Sequence, residues 1–400
     1  MPKWFWLLFL AAYGGCVGSF LNVVIYRLPE GKGLVTPRSS CPKCGHPLAW
    51  YDNVPVLGWL WLRGKCRYCK APISIQYPLV EAAVALMFAG LYALYYMTLL
   101  RPDFFRSGFG VTWPIYVVHV VLLSGLFAST VIDARLYIIP RSIPWTVTVL
   151  AVLILPAAVW YDTSYREQWQ LFNRHMVPIA YASGVTTAAG AFIGLGISLL
   201  LLKLKILPLS FADYEQAYEE HLKSNPTAGQ EGGGDWFHYP HPRREVLKEL
   251  LFLVLPIVGA VVGYLFRPTG QVDWPAWVFV LGGVGLGYLM GAALVWGTRI
   301  LGTLAFGKEA MGLGDVHLLA AIGAVMGPGE VIPVFFIAPF FGLVAAVLMF
   351  GLGAMLKKRF QPIPYGPYLA GAAMVVLIWR EPIIAYLEPL LKICDILFIV

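Results

Sequence analysis

Charge is the first thing that this sequence has little of: Asp, Glu, Lys and Arg together make up 13% of its 400 residues. Soluble domains carry about 25% charged residues, so a single soluble core is excluded. Hydrophobic residues make up 59% of the chain, which is typical of a protein embedded in a lipid bilayer. We expect no nucleic-acid partner despite the net charge of +7, because excess Lys and Arg in membrane proteins mark cytoplasmic loops.

Apolar runs long enough to cross a bilayer, which takes about 20 residues, recur along the chain. The run from Trp4 to Tyr26 is too long for the core of a signal peptide, so we expect a retained first helix, although "AAYGG" leaves cleavage open. A shorter run at 316–327 follows Asp315, and the tail 382–400 is either a last span or an interfacial helix. We predict an all-α polytopic membrane protein with about ten transmembrane helices. The full-length runs fall at about 4–26, 77–100, 114–132, 144–160, 178–202, 249–266, 275–298, 331–355 and 364–380.

The first long loop, residues 27–76, indicates how the chain is oriented. It holds eight Lys and Arg residues against two acidic ones, and such an excess places a loop in the cytoplasm. The N-terminus then lies outside, and the second and third spans bring the chain back to the cytoplasm near Asp133. An even number of further crossings precedes Asp315. We therefore expect both aspartates at the cytoplasmic face of the membrane.

Cysteine is scarce as well, with six in the chain, but four of them form a pattern within the loop 27–76. Two Cys-x2-Cys pairs stand 21 residues apart, and each pair can present two thiolates on one tight turn. Four thiolates are the closed tetrahedral set that structural zinc prefers, and a cytosolic loop disfavours disulfides. We predict a small zinc-binding domain whose metal folds the loop, with reduced thiols as the alternative. The expected ligands are Cys41, Cys44, Cys66 and Cys69.

Two aspartates lie at the ends of apolar runs, Asp133 in "STVIDARL" and Asp315 in "MGLGDVHL". The helix dipole favours an acid at a helix N-terminus, and interfacial acids are common, so either residue alone has a structural explanation. Two carboxylates that meet at one membrane face would instead repel each other when both are ionised, and would share a proton. That is the arrangement of an aspartic protease. Gly312 and Gly314 would allow the sharp turn and close substrate approach that this chemistry needs.

The chain resembles the type IV prepilin peptidases, the G-x-G-D aspartic proteases of pilus assembly and type II secretion. The resemblance covers six segments, which follow the family's order along nearly the whole chain and are specific together. The two cysteine pairs match the family's cytoplasmic loop. The other five segments are "GSFLNVVIYRLP" (18–29), "ISIQYPLVEAAVAL" (73–86), "IDARLYIIP" (132–140), "GKEAMGLGDVHLLAAIGAVMG" (307–327) and "IPYGPYLA" (363–370).

This resemblance implies an enzyme that removes the basic leader of prepilins and pseudopilins at the cytoplasmic face of the inner membrane, alongside the pilus or type II secretion assembly machinery. It implies Asp133 and Asp315 as the catalytic pair, and the four cysteines as the zinc cluster of a loop associated with methylation. Many family members also N-methylate the new N-terminal residue, so S-adenosylmethionine joins Zn²⁺ as an expected cofactor. Glu81 is a candidate for binding the leader, or equally a helix N-terminal acid that follows Pro78.

The chain departs from the family at His317, where a Lys is usual, and at Gln76, where an Arg is usual. A titratable cation then lies two residues from Asp315 in place of a permanent one, so we expect a pH-sensitive rate. The resemblance also suggests five parts of the chain. They are the first transmembrane helix (1–26), the zinc-binding loop domain (27–76), the first part of a peptidase core (77–160), an insert (161–274) with two extra spans and a cytoplasmic loop (203–248), and the second part of the core (275–400).

Three other functions are open at this stage. The same scaffold would be a peptidase alone if it transfers no methyl group. A cation-coupled transporter would bind an ion at Asp133 and Asp315 in broken helices, but the sequence shows neither an inverted repeat nor further buried acids. A zinc-stabilised membrane scaffold without chemistry would leave the two aspartates unexplained.

Overall fold

The fold is all-helical over the residues that a computed structural model describes, which are 2–36, 38–224, 239–356, 364–383 and 385–386. These residues form one 3₁₀ helix, Trp50–Asn53, and no β-strand. The α-helices are α1 (Lys3–Arg27), α2 (Leu57–Trp61), α3 (Gln76–Tyr96), α4 (Pro102–Ser107), α5 (Phe109–Leu136), α6 (Ser142–Ser164), α7 (Ala182–Lys203), α8 (Tyr214–Ser224), α9 (Pro242–Leu265), α10 (Ala276–Phe306), α11 (Leu313–Met326), α12 (Pro328–Leu356) and α13 (Gly366–Ile378).

Eight of these helices are long and apolar enough to cross a membrane: α1, α3, α5, α6, α7, α9, α10 and α12. Two shorter apolar helices, α11 and α13, bring the number of apolar helices in the described chain to the ten that the runs predict. The predicted fold class, an all-α multi-pass membrane protein, is therefore confirmed. Most of the tail that was predicted as a span or an interfacial helix, residues 387–400, lies outside the described residues.

α5 is the central helix of the bundle. In its most apolar stretch 72% of the residues are buried inside the protein, against 44% or less in the other seven long helices. It packs against α1, α3, α6, α11 and α13, so protein covers it on most sides. Because Asp133 stands in the last turn of this helix, the bundle itself shields that carboxyl from lipid.

α7 and α9 form a peripheral pair that contacts the rest of the bundle through α10. Only 22% and 17% of their most apolar stretches are buried, so most of their surface is left to the lipid. The two backbones meet at Gly190 and Gly259, where a β-carbon on either residue would overlap the carbonyl oxygen of the other. α11 packs on α10 in the same way, at Gly323 and Gly287. Small residues that allow such close contact are a common basis for helix association in membranes.

Candidate active site

Asp133 lies in the last turn of α5, with 6% of its surface exposed. Its Oδ2 accepts a hydrogen bond of 2.9 Å from the backbone N–H of Gly366, the first residue of α13. The N–H groups in the first turn of a helix have no partner within the helix, and they carry the positive end of its dipole. The α13 N-terminus therefore holds the Asp133 carboxylate in one orientation.

The second aspartate, Asp315, lies in the first turn of α11, which begins directly after Gly312. Its Oδ1 is buried and has no hydrogen-bond partner among the residues that the structure describes. The carboxylates of Asp133 and Asp315 are close enough for their charges to act on each other, and Asp315 acts in the same way on the hydroxyl of Tyr365. The structure thus brings the two predicted carboxylates together and leaves one oxygen free to bind water or a substrate carbonyl.

Ile139 connects the elements that carry these two carboxylates. It belongs to the short link between α5 and α6, which starts at Tyr137 in the left-handed conformation. A β-carbon at Gly314 would lie 2.9 Å from Cβ of Ile139, and one at Gly366 would lie 3.3 Å from its Cδ1. Glycine at position 314 therefore lets α11 reach this link, whereas a β-carbon at position 366 would require a small shift of the Ile139 side chain. The close neighbour of Gly314 in the structure is therefore Ile139 of the same chain, through its side chain and, at 3.4 Å, its carbonyl oxygen.

His317 and Gln76 are two positions at which the chain departs from the family pattern. The half-buried His317 ring stands 6.2 Å from the ring of Trp145 on α6, and the charge of Arg141 acts on it. Gln76 Oε1 accepts hydrogen bonds from Arg135, at 2.7 Å, and from the hydroxyl of Tyr26, at 3.2 Å. Each of these two departures from the family pattern is thus close to an arginine, Arg135 in the last turn of α5 or Arg141 directly before α6.

Glu81 is buried between α1, α3 and the cysteine loop. Its Oε2 accepts a hydrogen bond of 2.7 Å from the N–H of Val56. Val56 has φ 61° and ψ −52°, and the N–H of Leu57 bonds to the carbonyl oxygen of Pro55 at 2.6 Å, which makes a γ-turn of the rare, strained kind. The carboxylate of Glu81 thus holds a strained turn of the loop against the membrane helices.

The four cysteines that the spacing predicts as ligands come together in the structure. Their Sγ atoms all lie within 4.8 Å of one another, and those of Cys41 and Cys69 are 3.8 Å apart. With Zn–S bonds of about 2.3 Å, a tetrahedral zinc site places its sulfur atoms about 3.8 Å apart. The donor set and its size therefore fit a structural zinc ion.

Both cysteine pairs use the same backbone turn. The N–H of Gly45 bonds to the carbonyl of Cys41, and the N–H of Lys70 bonds to the carbonyl of Cys66. The backbone N–H groups of Cys44 and Lys43 lower the pKa of Cys41 to about 6. The N–H of Ala71 acts to lower the pKa of Cys69, but desolvation and the three neighbouring thiols outweigh it and raise that pKa to about 11. Four thiolates this close together would repel one another unless a bound cation balanced their negative charge.

The sequence matches two families of known proteins. Residues 12–95 match the family described as "Bacterial Peptidase A24 N-terminal domain", and residues 246–347 match the "Type IV leader peptidase family". The chain belongs to the type IV leader peptidase family. The second match includes Asp315, and the first includes Glu81 and all four clustered cysteines.

Curated relatives of this leader peptidase family member carry the name "Prepilin leader peptidase/N-methyltransferase". The protein from Myxococcus xanthus is 47% identical over 34% of this chain and 36% of its own length. Those from Aeromonas hydrophila and Pseudomonas aeruginosa are both 27% identical, over 95% and 92% of this chain and 93% and 89% of their own lengths. The class of enzyme that the motifs predict is confirmed by these relatives. No solved structure matches this leader peptidase.

Two contacts of the site were not predicted from the residues of this leader peptidase. The segment "IPYGPYLA" was recognised as a motif, but the group that matters at Gly366 is a backbone N–H, which residue chemistry does not reveal. The second feature that was not predicted is the burial of Arg299, which directly follows the apolar run 275–298 and is almost fully buried in the structure. A lone cation at the end of an apolar run was a signal available in the sequence, because buried charge in membrane helices needs a partner.

Proposed function

We propose that this chain is a membrane-embedded aspartic endopeptidase with Asp133 and Asp315 as its catalytic pair. Its substrates are prepilins and pseudopilins, whose leader peptides it removes at the cytoplasmic membrane face. The observation that carries the proposal is the meeting of two carboxylates, one fixed by the N–H of Gly366 and one with a buried, unpartnered Oδ1 among the described residues. Charge repulsion between two such groups leaves one proton shared between them.

The pair would hydrolyse the peptide bond without a covalent intermediate. The ionised carboxylate takes a proton from a water molecule, whose oxygen attacks the scissile carbonyl carbon. The protonated carboxyl gives its proton to the carbonyl oxygen, which forms a neutral tetrahedral diol. On collapse the C–N bond breaks, the leaving nitrogen takes up the proton from the first carboxyl, and the diol returns a proton to the pair. The unpartnered Oδ1 of Asp315 is the atom placed to hold the water or the carbonyl.

We assign supporting roles to the residues around the pair. Gly314 lets the first turn of α11 approach the link after α5, Gly312 lies directly before that turn, and His317 supplies a titratable group two residues from Asp315. Glu81 stays a candidate for binding the basic leader. Its buried carboxylate and its hydrogen bond to Val56 favour a role in holding the loop at the mouth of the site.

The excess of Lys and Arg in the loop 27–76 supports a cytoplasmic active site, with the N-terminus outside and the chain in the inner membrane. This topology suits a prepilin, because the leader is basic and the helix that follows it is apolar. The helix can stay in the bilayer while the cut bond reaches the interface. In this arrangement the loop 27–76 and the insert 161–274 would face the pilus or type II secretion assembly machinery.

The four clustered cysteines would hold Zn²⁺, which when bound supplies a structural cross-link between the two cysteine turns. We propose S-adenosylmethionine as the methyl donor of a second activity, on the strength of the relatives' names. The described residues suggest no set of side chains for binding it. A peptidase without methyl transfer is the alternative, and mass analysis of a processed pilin separates the two, since methylation adds one methyl group to the new N-terminus.

The proposal is tested by co-expression with a prepilin and N-terminal mass analysis. Asp133→Asn and Asp315→Asn are expected to abolish leader removal while the protein still inserts in the membrane. Asp273→Asn, at an exposed aspartate between α9 and α10, is the matched control and should cleave normally. Normal cleavage by both site variants would refute the assignment.

A further inference from the structure

Arg299 is a cation buried near the C-terminal end of α10, with 1% of its surface exposed. All three nitrogens of its guanidinium are engaged. Nε and Nη2 donate to the carboxylate of Glu249 at 3.2–3.3 Å, and Nη1 donates to Glu309 Oε1 at 2.7 Å and to the carbonyl oxygen of Met311. The guanidinium carbon, Cζ, lies over the ring of Phe211, 5.2 Å from its centre. Hydrogen bonds from all three nitrogens fix the guanidinium in one place.

Two of these partners belong to the segment 307–312, which leads from α10 into the turn that carries Asp315. A third contact ties the same segment back to α10, since the N–H of Ala310 donates to Thr303 Oγ1 at 3.2 Å. Thr303 is fully buried. Met311, whose carbonyl is held, is followed by Gly312 and the first turn of α11. The path of the chain into Asp315 is therefore set by α10 through Arg299 and Thr303.

Glu249, which holds the other side of Arg299, comes from α9 in the peripheral pair. It is 3% exposed, and its Oε2 also accepts a hydrogen bond of 2.7 Å from Trp296 Nε1. Phe211, above the guanidinium, is in the loop after α7, and its N–H bonds to Glu245 of α9 at 2.6 Å. Residues of the predicted insert 161–274 thus contact Arg299 from α9 and from the loop after α7, although only 22% of the most apolar stretch of α7 and 17% of that of α9 are buried.

We propose that the ion cluster of Arg299, Glu249 and Glu309 positions the segment 307–312 that precedes Asp315. Through this cluster, α9 helps to hold the active site in place. The proposal rests on the assignment of Asp315 as catalytic. Arg299 acts here as a positioning residue, through the backbone of Met311. If Arg299 served only to join α10 to α9, Glu249 would be a sufficient partner. Nη1 of Arg299 instead donates to Glu309 and Met311 in the segment 307–312.

The test uses Arg299→Lys in the full-length protein. Lys keeps the charge but has a single ammonium on a flexible stem, so it cannot serve Glu249, Glu309 and Met311 at once. Arg267→Lys is the matched control, since Arg267 is exposed at the other end of α9. Two quantities are measured for each: hydrogen–deuterium exchange of residues 307–314, and kcat and KM for leader removal from a purified prepilin.

The expected result for Arg299→Lys is faster exchange in residues 307–314 and a kcat lowered by roughly 10- to 100-fold, since a misplacement of about 1 Å has effects of this size. KM should stay within about twofold, because the groups that bind the substrate are unchanged. Arg267→Lys should change neither quantity. Unchanged exchange, or faster exchange with an unchanged kcat, would overturn the proposal, and so would a change confined to KM.

Two further variants keep the test decisive. If Arg299→Lys fails to insert, Glu309→Gln replaces it, because Glu309 is partly exposed and its loss leaves the buried pair intact. It should raise exchange in residues 307–314 and lower kcat severalfold, and an unchanged value of either would overturn the proposal. Asp315→Asn should abolish cleavage without faster exchange. If Asp315→Asn cleaves normally, the proposed function fails, whereas the exchange data still report on the anchoring of the segment.

Discussion

Gly366→Ala is the substitution for which the structure gives the clearest expected magnitude. A β-carbon at this position would lie 2.7 Å from Oδ2 of Asp133. Ordinary C···O contacts are no closer than about 3.3 Å, so the carboxylate must retreat by about 0.6 Å. Its hydrogen bond from the N–H of Gly366, 2.9 Å in the native protein, would then stretch beyond the usual N–H···O limit.

A hydrogen bond to a charged group contributes about 1.5–3 kcal/mol. If the whole of that loss appears in the transition state, at about 1.4 kcal/mol per tenfold, Gly366→Ala lowers kcat by roughly 10- to 150-fold. Stability should not fall in parallel, because Gly366 does not have the positive φ that favours glycine, and alanine loses less backbone entropy than glycine on folding. The expected result is a protein that inserts and unfolds like the native one but cleaves slowly.

The assay is the rate of leader removal from a purified prepilin at saturating substrate, with thermal unfolding measured on the same samples. Gly371→Ala is the matched control on the same helix. A β-carbon there would meet only ring atoms of Phe341, at 3.8 Å, which is ordinary contact. A native rate for Gly366→Ala, or an equal loss for Gly371→Ala, would refute the reasoning that the N–H of Gly366 orients Asp133.

Three further outcomes are expected. Metal analysis should find one zinc ion per chain. Cys66→Ser removes a buried ligand, so this variant should lose both the zinc and the protease resistance of the loop 27–76. Zinc retained by Cys66→Ser would contradict the four-thiolate site. Lys70→Gly should stabilise the loop by about 1 kcal/mol in denaturant unfolding, because Lys70 adopts a left-handed φ of 60° that glycine adopts without strain. The equivalent position of the first cysteine turn is Gly45, at φ 69°. A less stable loop would contradict this reasoning. His317→Lys should flatten the pH dependence of the rate, since protonation of His317 at falling pH adds a charge two residues from Asp315 that Lys carries throughout; an unchanged pH–rate profile would disprove the role of His317.

Features that depend on composition over a short stretch could be predicted from the sequence. The length of an apolar run decides whether a helix can cross a bilayer, so the ten apolar helices follow from it. The spacing of Cys41, Cys44, Cys66 and Cys69 likewise predicts the cluster that the structure contains. The number of crossings between Asp133 and Asp315 predicts that both lie at one membrane face, whereas their approach to each other depends on how the helices pack.

Features that depend on distant backbone contacts could not be predicted. Gly366 is 233 residues from Asp133 in the chain, and what it contributes is a backbone N–H. The pairing of Arg299 with Glu249 joins residues 50 apart on helices whose apolar runs carry no sign of which faces meet. Glu81 shows the same limit: its position after Pro78 indicates an acid near a helix N-terminus, but only the fold shows that Val56 is its partner.

The strained turn at Val56 has a consequence for how the cysteine loop can be studied. Conformations of this kind cost about 1–3 kcal/mol and persist only where the surroundings impose them. Here the surroundings are Glu81 of α3, which takes the N–H of Val56, and α1, where Gly15 leaves room for Pro55. A soluble fragment of residues 27–76 would keep both cysteine turns and still bind zinc, but its segment around Val56 would relax. The cysteine turns of the loop therefore do not depend on the membrane helices, whereas the conformation of the loop around Val56 does.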